Sequence, residues 1–379
     1  MTTIESELSH LLELIADEVD LNHCDEVDER YRRALAYEEV DHPPLVIQSS
    51  LDSAMTMPAP WGEFHHYSYR QIFDSPAAMM QNMLLERVVP GLLLKDDSPL
   101  ALRNDHGTLL AATALGVTWQ QHKDDHPWAK PISSPELLEG IAAAAPAVNI
   151  QAGLLGKTRE TLQFYRDKLS EYPPCARAIQ VSMPDLQGPF DTAEQLWGSE
   201  IYLAFFEQPE LLGQVLSAIA ETTLALAEAF RPYALDRLDP LATTQHGYMI
   251  PGRFMVRNDS AIMLSAAMYA EFVRDHDAHI LSEVGGGCIH FCGDGQHLIA
   301  PMLQIPDLRG LDFGESWLMD LETIYAQCSE RRVAITSVRP PREDLVSGKS
   351  RRQFPTGVVF VYWAGDLEDA KAVVREYKE

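Results

Sequence analysis

The sequence predicts an α/β protein: a (β/α)8 barrel over residues 41–379 with a helical extension over residues 1–40. Three observations carry this. From residue 285 to the C-terminus, short apolar runs alternate with amphipathic ones, the pattern of parallel βα units. The 379 residues leave room for one barrel of about 250 residues plus extensions. No linker or low-complexity tract divides the chain.

Composition narrows the class. Hydrophobic content of 46% with 23% charged residues is that of an ordinary globular chain able to bury a large core. The formal net charge of −26 argues against nucleic acid or an anionic membrane surface as a partner, because both repel an acidic protein. The five cysteines are odd in number and scattered, the N-terminus is acidic and amphipathic, and no apolar run of membrane-spanning length stands out. The expectation is a cytoplasmic protein with reduced thiols.

The elements follow in order. Ile4, Leu8, Leu11, Leu12, Ile15 and Val19 recur at three- and four-residue spacing, which predicts a first helix, and "DEVDERYRRALAYEEV" a second. "HPPLVIQSS" reads as a first buried strand, and the aromatic-rich residues 50–75 as a loop over a pocket. "SPAAMMQNMLLERVV" begins a helix at Ser-Pro, with Met79, Met80 and Met83 as core. "AIQVSMPDLQGPFD" reads as strand then loop, followed by two helices through Tyr233. Ser265 fits an N-cap, and the helix after it ends at glycine. Then "GGCIHFC", "LRGLDFG", "VAITSV" and "TGVVFVYW" are strands separated by helical segments.

Function is sought at the C-terminal ends of those strands, where barrel enzymes carry their chemistry. His290 and Cys292 lie two apart at such an end, so both point to one face. Imidazole and thiolate are zinc ligands, and a zinc site needs at least one more. The next strand ends at Glu315, the expected third ligand. Cys288 points the same way but deeper and reads as core, and Cys328 as helix packing. "GYMIPGRFMVRND" sets Tyr248, Arg253, Arg257 and Asp259 in an apolar context, the mark of a pocket wall. Tyr248 and Asp259 are catalytic candidates with Asp185, and Arg253, Arg257, Gln187 and His106 are substrate-binding candidates. Arg253 and Arg257 are expected to make the mouth less acidic than the surface as a whole.

"LQGPFDTAEQLWGSEIYLAFFEQPELL", "NDSAIMLSAAMYAEFV" and "GGGCIHFCGDGQHLIAPMLQIPDLRGLDFGE" together resemble signatures of the uroporphyrinogen decarboxylase superfamily, across about residues 178–320. The resemblance is looser over 40–130, through "DHGTLLAATALG" and "PWAKPI". It implies a barrel and one of two chemistries. The decarboxylase branch carries an Arg-rich turn after the first strand, but no Arg lies between Arg33 and Arg70 here. The zinc-dependent methylcobamide:thiol methyltransferase branch carries H-x-C, matched by His290 and Cys292, and an acidic position matched by Glu315. Its second Cys, near the last strand, is absent; Tyr362 and Trp363 stand there instead.

The resemblance therefore implies methyl transfer between a corrinoid or methoxy donor and a thiol acceptor, with Zn2+ as cofactor. Decarboxylation of a tetrapyrrole or other carboxylated ring, and a non-catalytic tetrapyrrole- or corrinoid-binding barrel, are the alternatives. No D-x-H-x-x-G corrinoid signature appears in the chain, so a corrinoid would come on a partner protein. The candidate partners are a small-molecule substrate, a corrinoid protein and a second copy of the chain.

Overall fold

Two helices, Thr3–Glu18 and Leu21–Leu35, lead into the first strand of a computed structural model that describes residues 3–49, 57–132, 134–144 and 146–379. Part of the loop expected over a pocket, residues 50–56, lies outside the described residues. The apolar spacing of the first helix puts Leu8, Leu11, Leu12 and Ile15 out of contact with solvent. Asp20 accepts a hydrogen bond from His23 N at 3.2 Å and caps the second helix.

The strands are β1 (Leu45–Ser49), β2 (Ala101–Leu102), β3 (Thr118–Gln121), β4 (Pro127–Lys130), β5 (Gln180–Val181) and β6 (Ala242–Gln245). They continue as β7 (Tyr248–Pro251), β8 (Met255–Arg257), β9 (Gly287–Phe291), β10 (Leu308–Phe313), β11 (Ala334–Val338) and β12 (Val358–Ala364). Six form one parallel sheet in the order β1-β12-β11-β10-β9-β8. β2 and β5 make a parallel pair of their own, and β3–β4 and β6–β7 are antiparallel hairpins.

The closed ladder expected from sequence is not continuous. At β1 the edge N–H groups go to side chains: Leu45 N donates to Asp97 Oδ2 at 2.9 Å and Ile47 N to Asp96 Oδ2 at 2.6 Å. Asp97 N in turn donates to Leu45 O. At the other edge Gly188 N, after β5, donates to Arg257 O at 2.9 Å. The result is an α/β architecture with a six-stranded parallel sheet, compatible with a barrel-like fold.

The two faces of the sheet are covered differently. Ile289, Leu311, Ile335 and Phe360 belong to the large apolar cluster that includes the helices. Alternate residues Val46, Met255, Cys288, Val359 and Val361 face a second cluster with Val27, Tyr31 and the β6–β7 hairpin. Hairpin and sheet meet closely: a methyl on Gly310 would stand 2.4 Å from Pro251 Cγ. Met79, Met80 and Met83 are core, as are Cys288 and Cys328. The helix Pro209–Phe230 lies on long apolar residues, and in the only stretch of the described chain long and apolar enough to cross a membrane, 50% is buried within the fold.

The Asp97 carboxylate is fully buried and holds both Leu45 N and Arg30 Nη1, the latter at 2.5 Å. Asp97→Ala should lower unfolding stability by about 3–5 kcal/mol, the cost of stranding a buried charge. Asp41→Ala, which removes the exposed partner of Arg30 at 3.5 Å, should cost less than about 1 kcal/mol. Urea denaturation of the two variants checks the difference.

Candidate active site

One row of polar side chains crosses four strands where a buried parallel sheet should be apolar. The register pairs Arg257 with His290, His290 with Asp312 and Asp312 with Thr336. All four are buried. His290 Nδ1 stands 2.6 Å from Asp312 Oδ2, and Thr336 Oγ1 donates to Asp312 Oδ1 at 2.5 Å. From the hairpin, Tyr248 donates its hydroxyl to Asp312 Oδ2 at 3.2 Å, and His246 Nδ1 lies 3.4 Å from the same oxygen.

His246 reaches this point through the turn that carries it. Gln245 pairs with Tyr248, so His246 and Gly247 form a two-residue loop, with φ of 53° and 90°. Positive φ at both positions defines the type I′ turn that fits the twist of a hairpin. Glycine takes that conformation freely, whereas the His side chain holds it at a cost the surrounding contacts offset.

The protonation states follow from the partners. Arg257 Nη2 lies 3.1 Å from His246 Nε2, and a guanidinium only donates, so the His246 proton sits on Nδ1, toward Asp312. Burial, helped by the Arg257 charge, lowers the His246 pKa to about 4. For His290, burial opposes the charged form. Hydrogen bonds with Asp312 and Cys292, and the charges of Asp312 and Asp259, outweigh it and push the pKa up to about 10. Burial likewise opposes the Asp312 carboxylate, but hydrogen bonds from His246 and His290 hold it well below its usual range. The centre is a buried imidazolium–carboxylate pair beside a neutral imidazole.

His290 Nε2 turns outward. Cys292 Sγ lies 3.5 Å from it and Asp259 Oδ1 also 3.5 Å. The three ligand atoms lie within 4.8 Å of one another, as do those of His246, His290 and Asp312. The second group is already consumed by hydrogen bonds around Asp312; the first, with Asp259 and Cys292 half-buried, opens to the mouth. Tetrahedral ligands at about 2.0–2.3 Å from a zinc ion stand roughly 3.3–3.8 Å apart, so the first group fits zinc. The Asp312 carboxylate behind His290 is the usual companion of a zinc-binding imidazole.

Surrounding contacts fix the three donors. Asp259 Oδ1 accepts from Cys292 N at 2.7 Å. Asp191 accepts from Asp259 N and Ser260 N, each at 2.9 Å, and pins that loop. A methyl on Gly314 would stand 2.5 Å from Cys292 Sγ, so only glycine leaves the thiol its place. Glu315, expected as the third ligand, instead accepts from Gly293 N at 2.6 Å and shapes the turn after Cys292. Asp259 is the carboxylate that stands beside His290, because the β8 end brings it across the top of β9.

Other expected residues divide. Asp185 is buried against the Arg257 guanidinium and accepts from Arg103 at 3.3 Å. Burial opposes its charge, yet the two arginines hold its pKa below the usual carboxylate range. Gln187 is buried in the segment after β5. His106 is buried away from this row, 3.2 Å from Thr158 Oγ1 and edge-on to Phe73. Arg253, expected in the mouth, precedes β8 at the opposite end of the sheet, where Asp239 holds it in a two-point ion pair at 2.7 and 3.0 Å. Near the missing second Cys, Tyr362 donates to Asp369 and Trp363 stacks on Arg339.

His246, Asp312, Arg87, Arg103 and Arg339 were not expected. A His-Gly pair between two strand-like runs was a turn signal for the first. For Asp312, an acid inside the apolar run "GLDF" was itself a warning. The arginines gave no local signal, since they come from separate segments.

No family model and no curated protein matches the chain. Its fold is similar to that of a methyltransferase from Methanosarcina mazei, with a TM-score of 0.65 over 93% of this chain and 98% of that one. The two are 17% identical, and the likeness is one of fold.

The His290 pKa of about 10 stands above its unfolded value of about 6.5, so the native state holds the extra proton between those limits. The stability it contributes is full below about pH 6.5 and is lost as pH rises through about 10. Metal-free protein should therefore unfold more easily with rising pH across this window. His290→Gln should flatten that slope in denaturant titrations.

Proposed function

We propose that the chain is a zinc-dependent methyltransferase on a (β/α)8 barrel, related to the uroporphyrinogen decarboxylase superfamily and nearer its methylcobamide:thiol methyltransferase branch. The barrel comprises residues 41–379. The observation that carries the reading is the Asp259–His290–Cys292 donor set at the strand ends, with Asp312 behind His290. The fold likeness to a methyltransferase supports it.

In this reading His290 Nε2, Cys292 Sγ and Asp259 Oδ1 would hold the ion. Zinc, when bound, lowers the pKa of a coordinated thiol and makes a thiolate available at neutral pH. The acceptor thiol would give its proton to solvent, and its sulfur would take the methyl group. The bond from the methyl carbon to its donor breaks, with its electron pair staying on the donor. A corrinoid donor would arrive on a partner protein.

The chain's own residues prepare this. Asp312 keeps the His290 Nδ1 proton, so the proton that metal binding would displace is the one on Nε2, the atom then offered as a ligand. Asp259 and Cys292 supply negative charge, and Asp191 and Gly314 keep them in place.

Zinc titrated into metal-free protein, purified without a metal-affinity tag, tests the reading. One ion per chain is expected. Cys292→Ser, Asp259→Ala and Gly314→Ala should each weaken binding by at least about 10–100-fold, the range seen when even the partner of a ligand is lost. Glu315→Gln should bind nearly as wild type. If all variants bind alike, or none binds at millimolar zinc, the pair is structural. Decarboxylation, or a carrier role for a tetrapyrrole or corrinoid, then takes its place.

A further inference from the structure

The short helix Ile201–Glu207 precedes the long helix Pro209–Phe230 and packs against it. Its inner face is well covered. Ile201, Ala204 and Phe205 are buried, and the Phe205 ring meets those of Phe190 and Phe272 at 5.7 and 5.1 Å. Its outer face breaks the usual division of apolar inside and polar outside. Leu203 is 57% exposed and Phe206 is 76% exposed. Three residues apart, they are neighbours on the helix surface. Phe206 is the most exposed of the large apolar side chains among the described residues.

Carboxylates surround this pair. Glu200 and Glu207 lie within one turn of Leu203, and Glu210 opens the next helix. All three are exposed, and among the described residues none of their carboxylates has an ion pair or a hydrogen bond. Elsewhere on the surface glutamates are matched, as Glu29 is by Arg32 and Glu376 by Arg342. No Lys, Arg or His occurs between Arg177 and Arg231, so this segment supplies no cation of its own. The helix is also tied to the candidate site. Tyr202 donates its hydroxyl to Glu194 Oε1 at 3.1 Å, and Ser260 Oγ donates to Glu194 Oε2. Ser260 follows Asp259, so a partner held on this helix stands one side chain away from the loop that carries Asp259.

We propose that the outer face of helix Ile201–Glu207 is a docking surface for a basic amphipathic helix of a partner protein. The proposal rests neither on zinc nor on methyl transfer. A helical stripe with an apolar centre and acidic flanks is complemented by a helix whose apolar seam is flanked by Lys or Arg, the pairing that sets partner choice between helices. Leu203 and Phe206 supply the apolar contact, and aromatic side chains are enriched at interface centres. The glutamates supply the sign: they attract a cationic partner, speed its approach and reject an acidic one. A second copy set face to face would bring the same carboxylates together, and an anionic membrane or a nucleic acid is repelled.

The probe is a fluorescent helical peptide of Leu and Lys in heptad order, about 14 residues long, which is two heptads. Its counterpart carries Glu in place of Lys. Full-length protein is titrated into each and followed by anisotropy, and sedimentation velocity of the protein alone reports self-association. The Leu/Lys peptide should bind saturably, one per chain, and more weakly as salt rises. The Leu/Glu peptide should not bind. Phe206→Ser should weaken binding at least about 10-fold, as the loss of an interface anchor does. Glu200→Gln, Glu207→Gln and Glu210→Gln combined should weaken it as much. Glu26→Gln, Glu283→Gln and Glu330→Gln combined, which remove as much charge from exposed positions elsewhere, should leave it as in wild type. Melting curves confirm that each variant is folded. Absence of saturable binding, or an unchanged affinity in Phe206→Ser, overturns the proposal. So does an equal loss in the two triple variants, which reduces the binding to attraction by the net charge of −26. Self-association of the protein that Phe206→Ser abolishes assigns the face to a second copy and overturns it as well.

Discussion

The buried pair of Asp312 and His290 is the constraint on which the rest of the site depends. A carboxylate with no solvent exposure survives in an apolar sheet only if its lone pairs are filled. Asp312 meets four groups: His290 and His246 through Nδ1, Thr336 and Tyr248 through hydroxyls. Each comes from a different strand or turn. Satisfying this one carboxylate therefore fixes the register of β9 to β11, docks the β6–β7 hairpin on the sheet, and aims His290 Nε2 outward. The His246 turn, with its positive φ, belongs to the same demand.

Alternation along the strands keeps the polar row compatible with a stable core. Ile289, Phe291, Leu311 and Phe313 point to the helices and bury apolar surface. His290 and Asp312 point the other way, against the hairpin. The apolar face supplies the burial that folding needs, while the polar face holds charge in a protein-defined field. Outside the row, support is local. Asp191 clamps the loop that carries Asp259, and Glu315 clamps the turn after Cys292. Neither touches the His290 ring, yet both decide where its neighbours stand.

Charge is organised on two scales. The surface as a whole is strongly acidic, whereas Arg87, Arg103, Arg257 and Arg339 converge on one end of the sheet. Two of them, Arg257 and Arg103, are spent on Asp185 and Asp105. A global charge count says what the protein repels at a distance. It does not say what its pocket holds, because low-dielectric walls let a few near charges dominate.

By itself the sequence determined the βα rhythm from residue 285 onward, the placement of His290 and Cys292 on one face at a strand end, the caps at Ser265 and Gly285, and the core role of Met79, Met80, Met83, Cys288 and Cys328. These rest on spacing within a few residues, where periodicity and backbone geometry act directly. The choice between Asp259 and Glu315 beside the His290–Cys292 pair lay beyond it, as did the roles of His246 and Asp312, the position of Arg253 at the far end of the sheet, and the approach of Arg87 to the His246 turn. Each of those depends on which strand lies beside which and how a hairpin folds over them. The distances that matter join residues far apart in the chain, such as Tyr248 and Asp312, and only the tertiary structure sets them, because a side chain's partners are decided by the packing that brings its neighbours within reach.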